Sequence, residues 1–206
     1  MPAKETASLT PLEGSLVRLR AMTEADLPYL FEVISHPDVY AGGWGGGPAA
    51  YSPDFGEWAA AFKRWMLWDK GRVYAIRAAD TDQIIGVTSM NVRLGELSAA
   101  SIRWTALAPR VWGTGVNDEV TALLLGHAFD RGVERVSLKM DILNERARGA
   151  AERIGAVHEG IRRHTGRRAD GTWRNEAVYT VLSGEWPRVR ETLLERAVHR
   201  PEGSGF

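Results

Sequence analysis

The 206-residue chain contains no cysteine. That excludes disulfides, thiolate metal ligands and a cysteine nucleophile. It also lacks an excess charge of either sign, because 26 Lys plus Arg balance 26 Asp plus Glu. No pull toward nucleic acid or a membrane surface is expected from such a balance. No apolar run approaches membrane-spanning length. The opening stretch MPAKETASLT has no apolar h-region, so a secretory signal is not expected and the cytoplasm is the expected location. The five histidines and the carboxylates are scattered without metal-ligand spacing, and no metal is expected. Internal repeats and low-complexity linkers are missing as well.

What is present suits one well-buried domain: 44% of residues are hydrophobic and 25% charged. We expect an N-terminal segment over 1–14, a single domain over 15–198 and a flexible tail over 199–206. SLVRLR (15–20) alternates apolar and polar residues and predicts a strand. Thr23, with Asp26 three residues on, predicts a capped helix that ends before Pro37. AGGWGGGP (41–48) is too glycine-rich for regular structure. Trp58, Phe62, Trp65 and Trp68 recur at helical spacing in a helix over 55–69 and read as core. Three β runs follow (72–79, 84–93 and 99–107), with DTDQ as a hairpin turn between the first two. A helix after residue 115, a strand over 135–141 and a short helix over 145–154 come next, the last stopped by Gly155. Two final runs flank ADGT, a hairpin signal, and a last short helix starts at EWP. The order β-α-α-β-β-β-α-β-α-β-β predicts a mixed α/β sheet.

One loop calls for chemistry. RVWGTGVNDE (110–119) places Gly113 and Gly115 between a strand and a long helix. Helix N-terminal amides have no partner inside the helix, and the dipole adds positive charge there. A phosphate is a natural ligand at such a place, and glycine lets it approach closely. The loop matches neither the P-loop nor the dinucleotide pattern. On pattern alone, a structural turn and a phosphate cradle stand level.

The order of motifs says more. R-x-x-G-x-G at 110–115 resembles the acyl-CoA pyrophosphate motif of GNAT-family N-acetyltransferases. LKMDILNERARGAAERIGAVHEGIRR, DGTWRNEAVYTVL and EWP resemble the RimJ/RimL-type branch, which modifies amino groups. The resemblance runs from about residue 15 to 190. It implies a GNAT fold, a mixed and mostly antiparallel sheet flanked by helices with splayed central strands. It implies acetyl-CoA as co-substrate, lying between the strand ending near Leu107 and the strand ending near Asp141. Backbone near Thr105 and Leu107 would pair with the pantetheine arm as an added strand does. Arg110, Val111, Trp112, Gly113, Thr114, Gly115 and Asn117 would form the pyrophosphate site. Asn144 would bond the cofactor arm, although a helix N-cap suits it equally.

The acceptor would be a primary amine, either a protein N-terminus or a small molecule. Trp44 and Tyr51 would wall it, unless both simply pack in the core. A homodimer is compatible with this reading; nucleic acid and membrane partners are not expected. The chain departs from the family where protons move. Ala151 stands at the leaving-group tyrosine position and Ala147 at the RimL-type serine position. SIRW, with Ser101 and Arg103, replaces EIGW, and a further carboxylate position falls near Gly166. Glu96 and Asp141 remain as acid–base candidates, each equally readable as a surface charge; His36 and His164 could also titrate near neutrality. The alternative function is a non-catalytic acyl-CoA-binding protein derived from such a transferase.

Overall fold

The structure is a computed structural model and describes residues 9–66, 73–93 and 98–198. Its strands are β1 (Leu12–Glu13), β2 (Val17–Ala21), β3 (Val73–Ala78), β4 (Ile84–Arg93), β5 (Ala99–Leu107), β6 (Arg135–Asp141), β7 (Val157–Arg167) and β8 (Trp173–Leu182). Its helices are α1 (Leu27–Ile34), α2 (Pro37–Ala41), α3 (Phe55–Trp65), α4 (Val116–Phe129), α5 (Glu145–Arg153) and α6 (Trp186–Val198). One eight-stranded sheet runs in the order β1-β2-β3-β4-β5-β6-β8-β7. Every pairing is antiparallel except β5 with β6.

The local signals act as expected. The Asp26 carboxylate accepts the Thr23 N–H at 2.8 Å and caps the turn that leads into α1. Pro37 ends that helix and also starts α2, which was not expected. At the first helical position the missing proline N–H costs nothing. Asp82 takes a left-handed φ of 58° in the β3–β4 hairpin, and Gly171 one of 82° in the β7–β8 hairpin. Gly155, at φ 81°, closes α5 by donating to Glu152 O. Leu12 and Glu13, within the stretch placed ahead of the domain, pair with Leu19 and Arg18 in the sheet. Trp68 and residues 199–206 lie outside the described residues.

Two cores cover the two faces. One packs α4 and α6 against β2 to β6 and β8. The other packs α1, α3 and the glycine-rich loop, with Trp58 and Phe62 as expected, against β3, β4 and the end of β5. Between them, β5 carries a bulge. Ser89 pairs with Arg103 and Val87 with Ala106, so three steps on β5 match two on β4. The extra residue is accommodated at Trp104, whose φ is 60°. A left-handed tryptophan is strained, and such strain persists only where its surroundings hold it. Here the Trp44 indole N–H donates to the Trp104 carbonyl at 3.1 Å.

The N-terminus of α4 is pinned by one carboxylate. Glu119 accepts the backbone N–H groups of Ser15, Leu16 and Val17 at 2.7–2.8 Å and the Ser15 hydroxyl at 2.6 Å. These bonds tie the helix to the start of β2. Charge-assisted hydrogen bonds contribute about 1.5–3 kcal/mol each, and they share one acceptor here. We expect Glu119→Ala to lower unfolding stability by about 2–3 kcal/mol. Urea denaturation checks this, and a loss within error of zero would show that the anchor contributes nothing.

Candidate functional site

β5 and β6 begin as parallel neighbours and then part. Ladder pairing joins Ala99 to Arg135 and continues to Ile102 with Leu138, and stops there. Past the Trp104 bulge the two strands diverge, leaving a V-shaped gap roofed by α5. Its outer chamber holds about 350 Å³ and its inner chamber about 120 Å³. Trp44, Thr105, Asn117, Asn144, Ala147 and Ala150 line both, so the two form one continuous gap.

The outer chamber ends on the glycine loop. Gly113 and Gly115 have φ of 78° and 84°, values that favour glycine. A Cβ on Gly113 would meet nothing within 4 Å, so the space beside it is open. The amides expected to face a phosphate shift along the chain. Val111 N–H donates to Ala108 O and Trp112 N–H to Pro109 O. The amides of Gly113, Thr114 and Gly115 have no backbone acceptor among the described residues. The first amides of α4 extend this donor set. The glycines therefore serve the turn and leave a donor-lined hollow.

Several expected residues come together here. Leu107, Val111 and Trp112 line the outer chamber with the two glycines. The Leu107 carbonyl already accepts the Trp112 indole N–H at 3.0 Å. Asn144 is placed for both tasks weighed for it. Its Oδ1 accepts the Ala147 N–H at 3.0 Å as the N-cap of α5. Its Nδ2 has no partner among the described residues, and the residue lines both chambers.

Others stand apart. Arg110 is exposed and lines neither chamber. The Thr114 hydroxyl is buried and braces the loop by donating to Val111 O at 2.7 Å. Tyr51 packs edge-on against Tyr40, 5.7 Å between ring centroids, and does not reach the gap. His36 caps α2, and His164 stacks on Trp173 at the far hairpin. Tyr179 faces α5, its hydroxyl donating to Glu152 at 2.6 Å. Glu96 lies outside the described residues.

Asp141 sits at the inner end of the gap, but in a state that suits a brace. Arg168 donates to both carboxylate oxygens at 2.8 Å, the Leu143 N–H adds a third bond, and Arg174 lies 3.7 Å away. Burial alone would push this carboxyl up. The bonds from Arg168 and Leu143, with the charges of Arg168 and Arg174, outweigh it and hold the group below its ordinary value. A carboxylate so engaged has no free oxygen for a proton and is a poor general base, contrary to the role considered for it.

Some lining residues had no sequence signal or a faint one. Arg146 and Arg153, two turns apart on α5, face the outer chamber. The Arg146 guanidinium stacks 3.3 Å from the Trp112 ring centroid. Glu176, fully buried on β8, pairs in register with Asp141 and binds Arg103 at 2.8 Å. Lys139 and Arg174 line the inner chamber. Among the described residues, no group of three or more His, Asp or Glu could hold a metal, and no helix is long and apolar enough to cross a membrane.

The arrangement fits coenzyme A. A donor-lined hollow with Arg146, Arg153 and the Asp118-paired Arg196 suits phosphates, an open strand edge suits an amide arm, and small α5 residues leave room beside it. Comparison with known proteins agrees. Residues 17–157 match the model of the Acetyltransferase (GNAT) domain. Two solved structures, each described as a "putative acetyltransferase", are 33% identical over 92% of this chain. The first is covered to 95% with a TM-score of 0.80; the second, from T. thermophilus, to 98% with 0.78. RimJ of Mycobacterium smegmatis, solved with CoA-disulfide, shares the fold at 19% identity, covering 90% of this chain and 92% of its own, with a TM-score of 0.69. No curated protein matches the chain.

Asp141→Asn keeps the shape and removes the charge, leaving Arg168 without its carboxylate partner and Arg174 with Glu176 alone. We expect a loss of about 3 kcal/mol near neutrality, as for a broken buried pair. The native pKa lies below the unfolded one, so the stabilisation is complete above the unfolded value of about 3.9 and disappears as pH falls through the native value. Urea midpoints for both proteins from pH 7 to pH 2 should converge only at the acid end. A constant difference across that range would refute the pairing argument.

Proposed function

The chain belongs to the GNAT acetyltransferase family, and we propose that it acetylates a primary amine as a RimJ/RimL-type enzyme does, the acceptor being a protein N-terminus or a small molecule. It is an N-acetyltransferase that uses acetyl-CoA. The observation that carries the site assignment is the split between β5 and β6 ending on the Gly113 and Gly115 hollow.

Each residue then has a task. The amides of Gly113, Thr114 and Gly115 and the start of α4 receive the pyrophosphate, with Arg146 and Arg153 adding charge. The β5 edge at Thr105 and Leu107 pairs with the pantetheine amides, and Asn144 Nδ2 donates to the same arm. Ala147, Ala150 and Ala151 leave the α5 wall flat beside it. Acetyl-CoA supplies an activated thioester carbonyl at the inner chamber. The chain's task there is to bring in a neutral amine and exclude water.

Proton donors are scarce at that point. The inner chamber is lined by no Ser, Tyr, His or Glu among the described residues; its hydroxyls, Thr105 and Thr121, are bonded to Thr88 and Asn117 O, and its titratable side chains are Lys139, the braced Asp141 and arginines. A thiolate leaves tolerably near neutrality, since its ordinary pKa is about 8.5, whereas an alkyl amine is mostly protonated there. The acceptor's own titration therefore controls the rate. kcat/KM should rise roughly tenfold per pH unit below the acceptor pKa, and the bend should move with that pKa across a set of amines. Ala147→Ser, which restores a hydroxyl beside the leaving group, should raise kcat modestly. A bend that stays fixed while the acceptor changes would assign the step to an enzyme group instead.

Cofactor binding is tested separately. Gly113→Asn tolerates the left-handed backbone but fills the hollow. It should raise the Kd for CoA at least about tenfold with little change in Tm. Asn144→Asp keeps the α5 cap and should weaken CoA likewise. Calorimetry and thermal melts on both variants decide the matter. Unchanged affinity in Gly113→Asn would leave the glycine with the turn alone. CoA binding without turnover over a broad amine panel would point instead to a non-catalytic derivative of the family.

A further inference from the structure

Among the described residues, the face of the sheet opposite α4 to α6 is only half covered. The second core ends at β5, and no residue of β6, β7 or β8 belongs to it. Alternation on β6 sends Val136 and Leu138 into the helical core and leaves Ser137, Lys139 and Asp141 on the other side. Ser101 of β5 and Arg162 of β7 join Ser137 and Lys139 along an open groove of about 630 Å³. Lys139 lines both this groove and the inner chamber, where Arg103 and Arg174 meet it. Lys139 thus stands between the groove on the uncovered face and the inner chamber, where the thioester would lie.

Charge at this junction is unbalanced. Glu176 is approached by Arg103, Arg162 and Arg174 at 2.8, 3.3 and 3.7 Å. Asp141 is held by Arg168 and Arg174. Lys139 has no ion-pair partner among the described residues. The groove's own carboxylate, Glu159, is taken by Arg135. Asp141 and Glu176 therefore face Arg103, Arg162, Arg174 and Lys139, with Arg168 shared between Asp141 and Asp170. Burial and the nearby Arg103 charge push the Lys139 amine below its ordinary value, and the pull of Glu176, already shared among three arginines, does not offset them. The Arg103 position is also the one where the chain reads SIRW.

We propose that the acceptor amine carries a carboxylate, which Lys139, Arg103 and Arg174 receive where the groove meets the inner chamber. The inference rests on the transferase reading above. A carboxylate supplies the missing negative charge and matches the guanidinium fork. A second ammonium on the acceptor, as in a polyamine, would meet like charge. The shared chemistry, an amine with a carboxylate nearby, occurs in free amino acids and in acidic peptide N-termini.

The test uses the full chain at low ionic strength, where exposed charges are least screened. Acetyl transfer is measured to 4-aminobutanoate, its carboxamide and 1,4-diaminobutane, and to two tripeptides that differ only by Asp or Asn at the second residue. The carboxylate member should exceed its neutral partner in kcat/KM by at least about tenfold in one of the two sets, and that set identifies the source. The diamine should be poorest. Lys139→Gln should cut the preference below about threefold while the Kd for CoA stays unchanged. Equal rates for charged and neutral partners in both sets would overturn the proposal and leave the transferase reading standing. If no amine reacts, the N-acetylated carboxylate and carboxamide are titrated into the CoA complex. Tighter binding of the carboxylate supports the proposal; equal or absent binding overturns it.

Discussion

Everything at this site depends on two parallel strands that stop pairing after four rungs. A continuous ladder from β5 to β6 would leave no gap and no free strand edge. The ladder fails because β5 takes an extra residue at Trp104. That residue is strained, and the strain is held from outside by the Trp44 indole and by the pairing of β4 on the far side. The glycine-rich loop is therefore more than a connector. Its one tryptophan braces the bulge and walls both chambers at once. Three glycines around it, Gly43, Gly45 and Gly46, adopt left-handed φ values that let a short loop bring that indole into place.

The two sides of the gap are built by different means. The outer chamber uses backbone: orphan amides at the head of α4, an open strand edge, and a helix wall of alanines. Such a site needs rigidity, and Glu119 provides it by fastening α4 to the start of β2. The inner chamber uses side-chain charge, brought together by cross-strand register. Asp141 and Glu176 lie opposite each other on β6 and β8, and arginines from β5, β7, β8 and the β7–β8 turn close on them. Buried like this, neither carboxylate can easily lose its partners, because a lone charge would be left without water.

This division explains what could be read beforehand. Strands, helices, hairpins and the Gly155 stop follow from period, capping and turn chemistry, all of them local. The glycine loop and Asn144 were recognisable because a phosphate cradle and a helix cap have local signatures too. The charge cluster was not. Glu176 lies 35 positions from Asp141, and nothing short of strand register says that they meet. Asp141 was visible as a residue at the mouth of the gap, but its role turned on Arg168, which reaches it from the β7–β8 turn. The bulge was equally hidden, since tryptophan is the last residue expected to take a left-handed backbone. Tyr51 was misplaced for the reverse reason. An aromatic beside flexible glycines suggests a binding wall, yet Tyr40 offered it an apolar contact first.

The departures from the family pattern form one consistent change. Ala147 and Ala151 stand where the family pattern has hydroxyls, while Arg103 stands where it has no charge and lines the inner chamber with Lys139 and Arg174. A thioester tolerates the first loss, because its thiolate is stable enough near neutrality. The second change acts on the partner that limits the rate. A cationic chamber disfavours an ammonium and favours the neutral amine, lowering the acceptor's effective pKa toward working pH. Positive charge thus lessens the need for a strong general base, with water taking the amine's proton, provided something anionic on the acceptor offsets the repulsion as it binds. The cluster then selects a carboxylate-bearing acceptor, and only the positive charge left over beyond that one carboxylate still disfavours the ammonium in the complex.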